Sequence, residues 1–242
     1  MKSLILAGGK GTRFAEETRF KPKPLIEINK LPMLIHIIDH YIKFDVKEFV
    51  ILGGYKHEMI IDYFQNFGNK NKCGDFIYKN STVQILNTGE ETMTGGRVKQ
   101  AIQELKLTDF FLTYGDGISN VDILKLYQSH KLSSCLSTLT AVRPPARFGR
   151  LELEDNLVVS FGEKNQSQEG WINGGFFVMN TKFLSFLDGD KTVLEKEPLE
   201  KITDLKELKA FKHEGFWQCM DHKLDKDYLD QLINEKKAPW MI

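Results

Sequence analysis

Short apolar runs alternate along this chain with segments whose apolar residues recur at helical spacing. Lys2–Ala7 is a compact β-rich run. Residues 33–44 then place Leu34, Ile37, Ile38, Tyr41 and Ile42 on one face, the i, i+3, i+4 signature of a half-buried helix. Residues 48–52 predict a second strand and 58–67 a second helix. Residues 82–86 and 110–113 read as strands with a helix at 97–105 between them, and 122–130 as a helix before a strand at 137–142. Strands alternating with helices predict βαβ units and a mainly parallel sheet. The strands show no polar face, so helices are expected to cover both sides. From about Arg150 the texture changes. "GRLELED", "LVVSFGEK" and "GGFFVMN" predict shorter strands joined by polar turns, and "PLEKITDLKELKAF" and "DHKLDKDYLDQLINEKK" predict helical or mixed segments. The expectation is an α/β fold: a Rossmann-like, mixed, mainly parallel central sheet with helices on both faces, plus a smaller C-terminal α+β extension. Residues 68–80 are the most polar stretch and are expected to form a mobile loop.

Composition narrows the function classes. The chain has 242 residues, enough for one large domain, with 41% hydrophobic and 27% charged residues, as in ordinary globular proteins. Thirty-three basic residues balance 33 acidic ones. No basic excess or stripe points to nucleic acid. No run approaches the ~18 apolar residues of a membrane span, and the start lacks the pattern of a signal peptide. The 3 cysteines, Cys73, Cys135 and Cys219, form no CxxC pair. They fit reduced thiols in a cytoplasmic protein.

The chemistry concentrates at "LILAGGKGTRF", residues 4–14. A glycine-rich turn after a first strand can set backbone N–H groups against phosphate. The dinucleotide fingerprint fails, because a G-x-G-x-x-G reading from Gly9 ends on Phe14. The P-loop fails too, because Lys10 is followed by Gly11. Taken alone, the turn is equally a strand-to-helix connection that needs backbone room. "KPKPLIEI", residues 21–28, adds two lysines around Pro22 on a stiffened backbone, one of which could reach back to a triphosphate.

Together these stretches complete the pattern LAGGxGTRxxxxTxxxPKP, from Leu6 through Thr18 to Pro24. The chain thereby resembles the sugar nucleotidyltransferase family. "NTGEETMTGGRVKQA", "FLTYGDGISNVD", "RFG", "GWINGGFFV", "EGFWQCMD" and "KAPW" look like its glucose-1-phosphate cytidylyltransferase branch, which feeds CDP-sugars into dideoxyhexose and cell-surface polysaccharide synthesis. The resemblance implies the nucleotide-diphospho-sugar transferase type of fold in a single domain, 1–242, with residues 1–150 as the nucleotide-binding half and 151–242 as the sugar-binding and metal-completing half. It implies CTP and a sugar 1-phosphate as substrates, Mg²⁺ as cofactor, and assembly into a homo-oligomer. Two other readings stay open. One is a nucleotidyltransferase for another sugar 1-phosphate or for UTP or dTTP. The other is a nucleotide-sugar-binding regulator without catalysis.

A sugar phosphate is already an anionic nucleophile, so such a transfer needs cations and metal-holding carboxylates rather than a general base. Asp116 in "TYGDG" follows an apolar strand, and a carboxylate at the carboxyl end of a parallel strand faces the ligand crevice. Asp221 in "QCMDH" is the second expected metal ligand, since Mg²⁺ is held by one or two carboxylates plus substrate phosphates. Unaided, Asp116 also reads as a turn residue and Asp221 as a helix cap. Lys23 is the expected clamp on the α-phosphate and Arg13 on the β- and γ-phosphates, with Lys10 and Lys21 as alternatives. Leu6, Ala7, Gly8, Gly9, Gly11 and Thr12 would complete the phosphate turn. Thr94, Gly95, Gly96 and Arg97 are expected just before a helix, where the glycines admit a flat base and Arg97 donates to the cytosine O2 and N3. For the sugar phosphate the candidates are Tyr114, Gly149, Glu163, Lys164, Asn173 and Gly174. Trp171 is either a pocket wall or core, and Arg147 either surface or site-lining.

Other patterns fail on spacing. His36 and His40 lack the Glu of a zinc motif and are expected on the polar face of one helix. "DHKLDKD" lacks the central glycine of a calcium loop. Three features depart from the cytidylyltransferase branch. The segment between Phe64 and Val83 is short, which weakens the expected homo-oligomer. Asn165 stands where a proline is usual. His222 stands where a threonine is usual, and its charge would change near pH 6–7.

Overall fold

The computed structural model describes residues 1–66, 69–144, 150–162 and 170–242. The strands are β1 (Lys2–Ala7), β2 (Glu27–Ile28), β3 (Leu31–Pro32), β4 (Glu48–Gly53), β5 (Phe76–Tyr78), β6 (Ser81–Asn87), β7 (Asp109–Tyr114), β8 (Gly117–Ser119), β9 (Ser137–Val142), β10 (Arg150–Glu154), β11 (Leu157–Gly162), β12 (Ile172–Asn180), β13 (Leu208–His213) and β14 (Trp217–Cys219). The helices are α1 (Ala15–Thr18), α2 (Met33–Ile42), α3 (His57–Gln65), α4 (Thr94–Glu104), α5 (Ile123–Lys131), α6 (Glu197–Asp204) and α7 (Lys223–Asn234).

Eight strands form one sheet in the order β13-β9-β12-β7-β1-β4-β6-β5. β1 pairs in parallel with both β4 and β7, β4 with β6, and β9 with β13. β12 runs antiparallel between β7 and β9. The later residues are therefore woven into the same sheet as β1, and the mixed, mainly parallel α/β architecture is as expected.

Alternation along the central strands builds two cores. Ile5, Ala7, Phe49 and Ile51 join one apolar cluster, while Leu4, Leu6, Val50 and Leu52 join another. Successive side chains of a strand point to opposite faces, so both faces of the sheet are buried.

Three local expectations are corrected. Helix α4 begins at Thr94 rather than at Arg97, so the Thr94-Gly95-Gly96 stretch forms its first turn. Residues 76–78 form the edge strand β5, paired with β6, where a mobile loop was expected. The Asn71 side chain accepts from the N–H groups of Cys73 and Asp75 and orders the turn before it. His36 and His40 lie on the buried face of α2, at 4% and 5% exposure. Each contacts a backbone carbonyl there, Ile28 O at 3.1 Å and Val121 O at 2.8 Å, which satisfies a polar ring inside the core.

Candidate active site

The carboxyl ends of β1 and β7 open onto a cleft of about 610 Å³. Such strand ends are the usual ligand side of an open α/β sheet. Leu6, Ala7, Gly8, Gly9, Gly11, Thr12 and Arg13 form one wall. Gly11 adopts φ +63°, a left-handed conformation suited to glycine, and its carbonyl accepts from the Phe14 N–H at 2.9 Å. The chain then enters a short 3-10 turn, Thr12–Phe14. Among the described residues, no backbone N–H from Gly9 to Arg13 donates to a protein acceptor. The turn therefore carries a run of uncommitted donors beside the cleft, the feature that cradles anions.

Lys23 stands in a 3-10 turn between Pro22 and Pro24 and is 7% exposed. Its Nζ donates to Asp116 Oδ2 and to Asp221 Oδ1, both at 2.7 Å. Arg13 pairs with the other Asp221 oxygen. Asp116 follows β7 and Asp221 follows β14, and their meeting has a local cause. β14 pairs antiparallel with β8, just beyond Asp116, and the Met220 N–H donates to the Asp116 carbonyl at 2.9 Å. Burial opposes the Lys23 charge, but Asp116 and Asp221 outweigh it and hold the lysine above its ordinary pKa. Burial likewise opposes ionisation of Asp221, and the Lys23 and Arg13 cations overcome it, so the carboxyl titrates below its usual range. Cys219 lines the same corner. Burial first, then Asp221 and Asp116, push its thiol up to about 12, so it stays protonated.

The two carboxylates converge on one cation and face the cleft. That donor set fits a hard divalent ion, which takes one or two carboxylates and completes its shell with phosphate oxygens. Among the described residues no cluster of three or more acidic, His or Cys groups could hold a metal without substrate.

Arg97 lines the cleft at 3% exposure, but its two terminal nitrogens are committed to protein. Nη1 reaches Gly53 O at 2.9 Å, Thr88 Oγ1 at 2.6 Å and Gly89 O at 2.8 Å, while Nη2 reaches Gly8 O at 3.0 Å. The expected donation to cytosine O2 and N3 meets a guanidinium already saturated along its two ends. A Cβ on Gly8 would lie 2.2 Å from the guanidinium carbon, so Gly8 supplies room for Arg97. Gly95 and Gly96 pack against a distant segment. Both N–H groups donate to Thr192 O, and added Cβ atoms would meet Thr192 and Asp190. Their bareness seats residues 190–192.

On the β7 side, the Tyr114 hydroxyl donates to Glu195 Oε1 at 2.7 Å and Asn173 Nδ2 contacts the same hydroxyl at 3.1 Å. All three residues line the cleft, as does Thr94. Gly174 does not: its carbonyl accepts from Trp217 Nε1 at 2.7 Å. Trp171 has Arg143 and Lys212 over its ring, 4.4 and 5.4 Å from the ring centre, and is outside the cleft wall. Lys10 pairs with Glu91 and Lys21 with Glu27 in exposed positions. His222 caps α7. Arg147, Gly149, Glu163, Lys164 and Asn165 lie outside the described residues. Pro24, Thr92, Met93, Gly115, Val193, Glu195 and Cys219 line the cleft without having been singled out. Pro24, Thr92, Met93, Gly115 and Cys219 each adjoin or fall within two residues of a candidate, which was an available signal; Glu195 had none.

Residues 2–223 match the family profile described as nucleotidyl transferase. The chain is 42% identical over 253 aligned positions to the glucose-1-phosphate cytidylyltransferase of Salmonella typhi, covering 99% of this chain and 98% of that protein. The crystal structure of HddC from Yersinia pseudotuberculosis aligns with a TM-score of 0.73 at 24% identity, over 96% of this chain and 99% of that one. The inositol-1-phosphate CTP transferase from T. maritima aligns with a TM-score of 0.68 at 20% identity, over 97% and 96%. These two structures share the fold.

Proposed function

The chain belongs to the nucleotidyl transferase family, and on that premise we propose that it transfers a cytidylyl group from CTP to α-D-glucose 1-phosphate. The products are CDP-glucose and pyrophosphate. The near-full-length similarity to the Salmonella enzyme supports the substrate pair. The convergence of Lys23, Asp116 and Asp221 at the strand ends is the observation that carries the chemistry.

A phosphate oxygen of the sugar phosphate attacks the α-phosphorus of CTP, and the bond from that phosphorus to the bridging oxygen of the β-phosphate breaks. The electron pair leaves with pyrophosphate, and no proton has to move. The barrier is the approach of two polyanions and the charge that gathers on the transferring group. Positioned cations lower both. The uncommitted N–H groups of residues 9–13 and the Arg13 guanidinium receive the triphosphate. Lys23 moves from its carboxylate partners to the α-phosphate, a point charge suited to a group that changes shape. Asp116 and Asp221 would hold Mg²⁺, which would supply positive charge against that of the phosphates when bound. Arg97 ties together the carbonyl-rich loops around Gly8 and Gly89.

No helix among the described residues is long and apolar enough to cross a membrane. Pyrophosphate release with Mg²⁺, CTP and a panel of sugar 1-phosphates tests the reading. Turnover with CTP and glucose 1-phosphate is the expected result. Release only with UTP, dTTP or another sugar phosphate would reassign the substrates, and no release with any pair would make the chain a binding protein.

A further inference from the structure

One acidic side chain in the cleft wall has no part in the phosphate chemistry. Glu195 accepts from the Tyr114 hydroxyl at Oε1 and from Thr94 Oγ1 at Oε2, both at 2.7 Å. Its two anchors are themselves anchored. Asn173 Nδ2 donates to the Tyr114 oxygen at 3.1 Å, and the Leu194 N–H donates to Thr94 Oγ1 at 2.9 Å. Burial, then Glu195, hold the Tyr114 phenol far above its ordinary pKa, so it remains a donor. A carboxylate offers about four lone-pair sites, and two hydroxyls occupy about half of them. The remainder are oriented before any ligand arrives.

Charge decides what they receive. Among the described residues, Asp116 and Asp221 are each paired with a cation, whereas Glu195 is held by neutral hydroxyls alone. Phosphate placed there would be repelled. A neutral group rich in O–H donors would be attracted, because hydrogen bonds to a charged acceptor are the stronger kind. Position points the same way. The phosphate turn leaves β1, and the carbonyls that hold Arg97 lie on the β4 and β6 side of it. Tyr114 and Asn173 stand on β7 and β12, on the other side. An in-line transfer needs its acceptor across the reacting phosphorus from the leaving pyrophosphate.

Resting on the transfer reaction proposed above, we propose that Glu195 is a specificity-determining residue whose carboxylate accepts a hydrogen bond from one ring hydroxyl of the hexosyl 1-phosphate. It selects the acceptor by requiring an O–H at that position. Tyr114 and Thr94 act as positioning residues for it.

The test is steady-state pyrophosphate release with saturating CTP, glucose 1-phosphate and its full set of monodeoxy analogues. The unaltered protein, Glu195→Gln and Glu195→Asp are compared. The unaltered protein should lose about 10- to 100-fold in kcat/KM on one analogue, the usual scale for a bond to a charged acceptor. Glu195→Gln should lose a similar factor on glucose 1-phosphate itself and discriminate against that analogue by less than about threefold, with the KM for CTP within about twofold. Glu195→Asp, with a shorter reach, should fall between the two, and it carries the same comparison if the Gln variant fails to melt cooperatively. An unchanged penalty on every analogue in both variants would overturn the proposal. So would a raised KM for CTP at constant sugar selectivity, which would assign the carboxylate to the cytosine amino group. If the unaltered protein releases no pyrophosphate from CTP and glucose 1-phosphate, the parent reading falls and this one with it. Turnover with unaltered selectivity in the variants defeats this proposal alone.

Discussion

Among the described residues, Lys23 and Arg97 are the two cations buried in the cleft wall, at 7% and 3% exposure, and they are held in opposite ways. Lys23 sits between two carboxylates. Arg97 sits among backbone carbonyls of Gly8, Gly53 and Gly89 and one threonine hydroxyl. A cation held by anions can exchange them for phosphate anions at little change in charge balance. One held by carbonyls cannot move without leaving several buried acceptors unpaired. The first arrangement suits a group that meets the substrate, and the second suits a scaffold.

The largest expected effect breaks the lysine side of this contrast. Asp116→Asn should lower the rate of pyrophosphate release by about 10²-fold or more, the scale of losing one preorganised electrostatic group. Full activity in this variant would remove Asp116 from the reaction centre. Arg97→Lys breaks the other side. A point ammonium cannot reproduce the guanidinium fork, and the orphaned carbonyls should cost roughly 2–4 kcal/mol, a fall in Tm of about 4–12 °C by calorimetry. An unchanged Tm with a raised KM for CTP would restore Arg97 to direct base contact.

Acid sharpens the comparison with a third buried group. Burial first lowers the His40 pKa to about 4, below the 6.5 of the free side chain, against the pull of the Val121 carbonyl. The unfolded chain therefore takes up the proton first as pH falls. Stability that is complete above about pH 6.5 declines towards pH 4, by about 2 kcal/mol between pH 7 and pH 5. Urea melts at the two pH values should show this slope, and His40→Gln should flatten it. The smallest effect is the control. Lys10→Ala removes an exposed pair with Glu91 and should leave kcat/KM within about twofold. A large loss would put Lys10 in the phosphate site.

The halves of the contrast differed in how far the sequence revealed them. Lys23, Asp116 and the turn at residues 8–13 lie in contiguous motifs, and their residue types state their chemistry. The alternation of the longer strands and helices from β1 to β9 followed from hydrophobic pattern, whereas the short strands β2, β3, β5 and β8 were not predicted. The role of Arg97 was hidden because its partners are backbone carbonyls, which no residue type announces. Gly95 and Gly96 read as room for a ligand, and their packing against Asp190 and Thr192, from a distant segment, is not visible in the sequence. His36 and His40 looked polar, and the α2 core accommodates them through two carbonyls. Glu195 sits in "LEKEPLEK", which reads as a solvated charged stretch until Tyr114 and Thr94 are brought to it.

The most direct measurement is a crystal structure of the protein with CTP and Mg²⁺. The account predicts the α-phosphate within hydrogen-bonding reach of Lys23 Nζ, with the metal on Asp116 and Asp221. A triphosphate bound away from both Lys23 and Asp116 would contradict it.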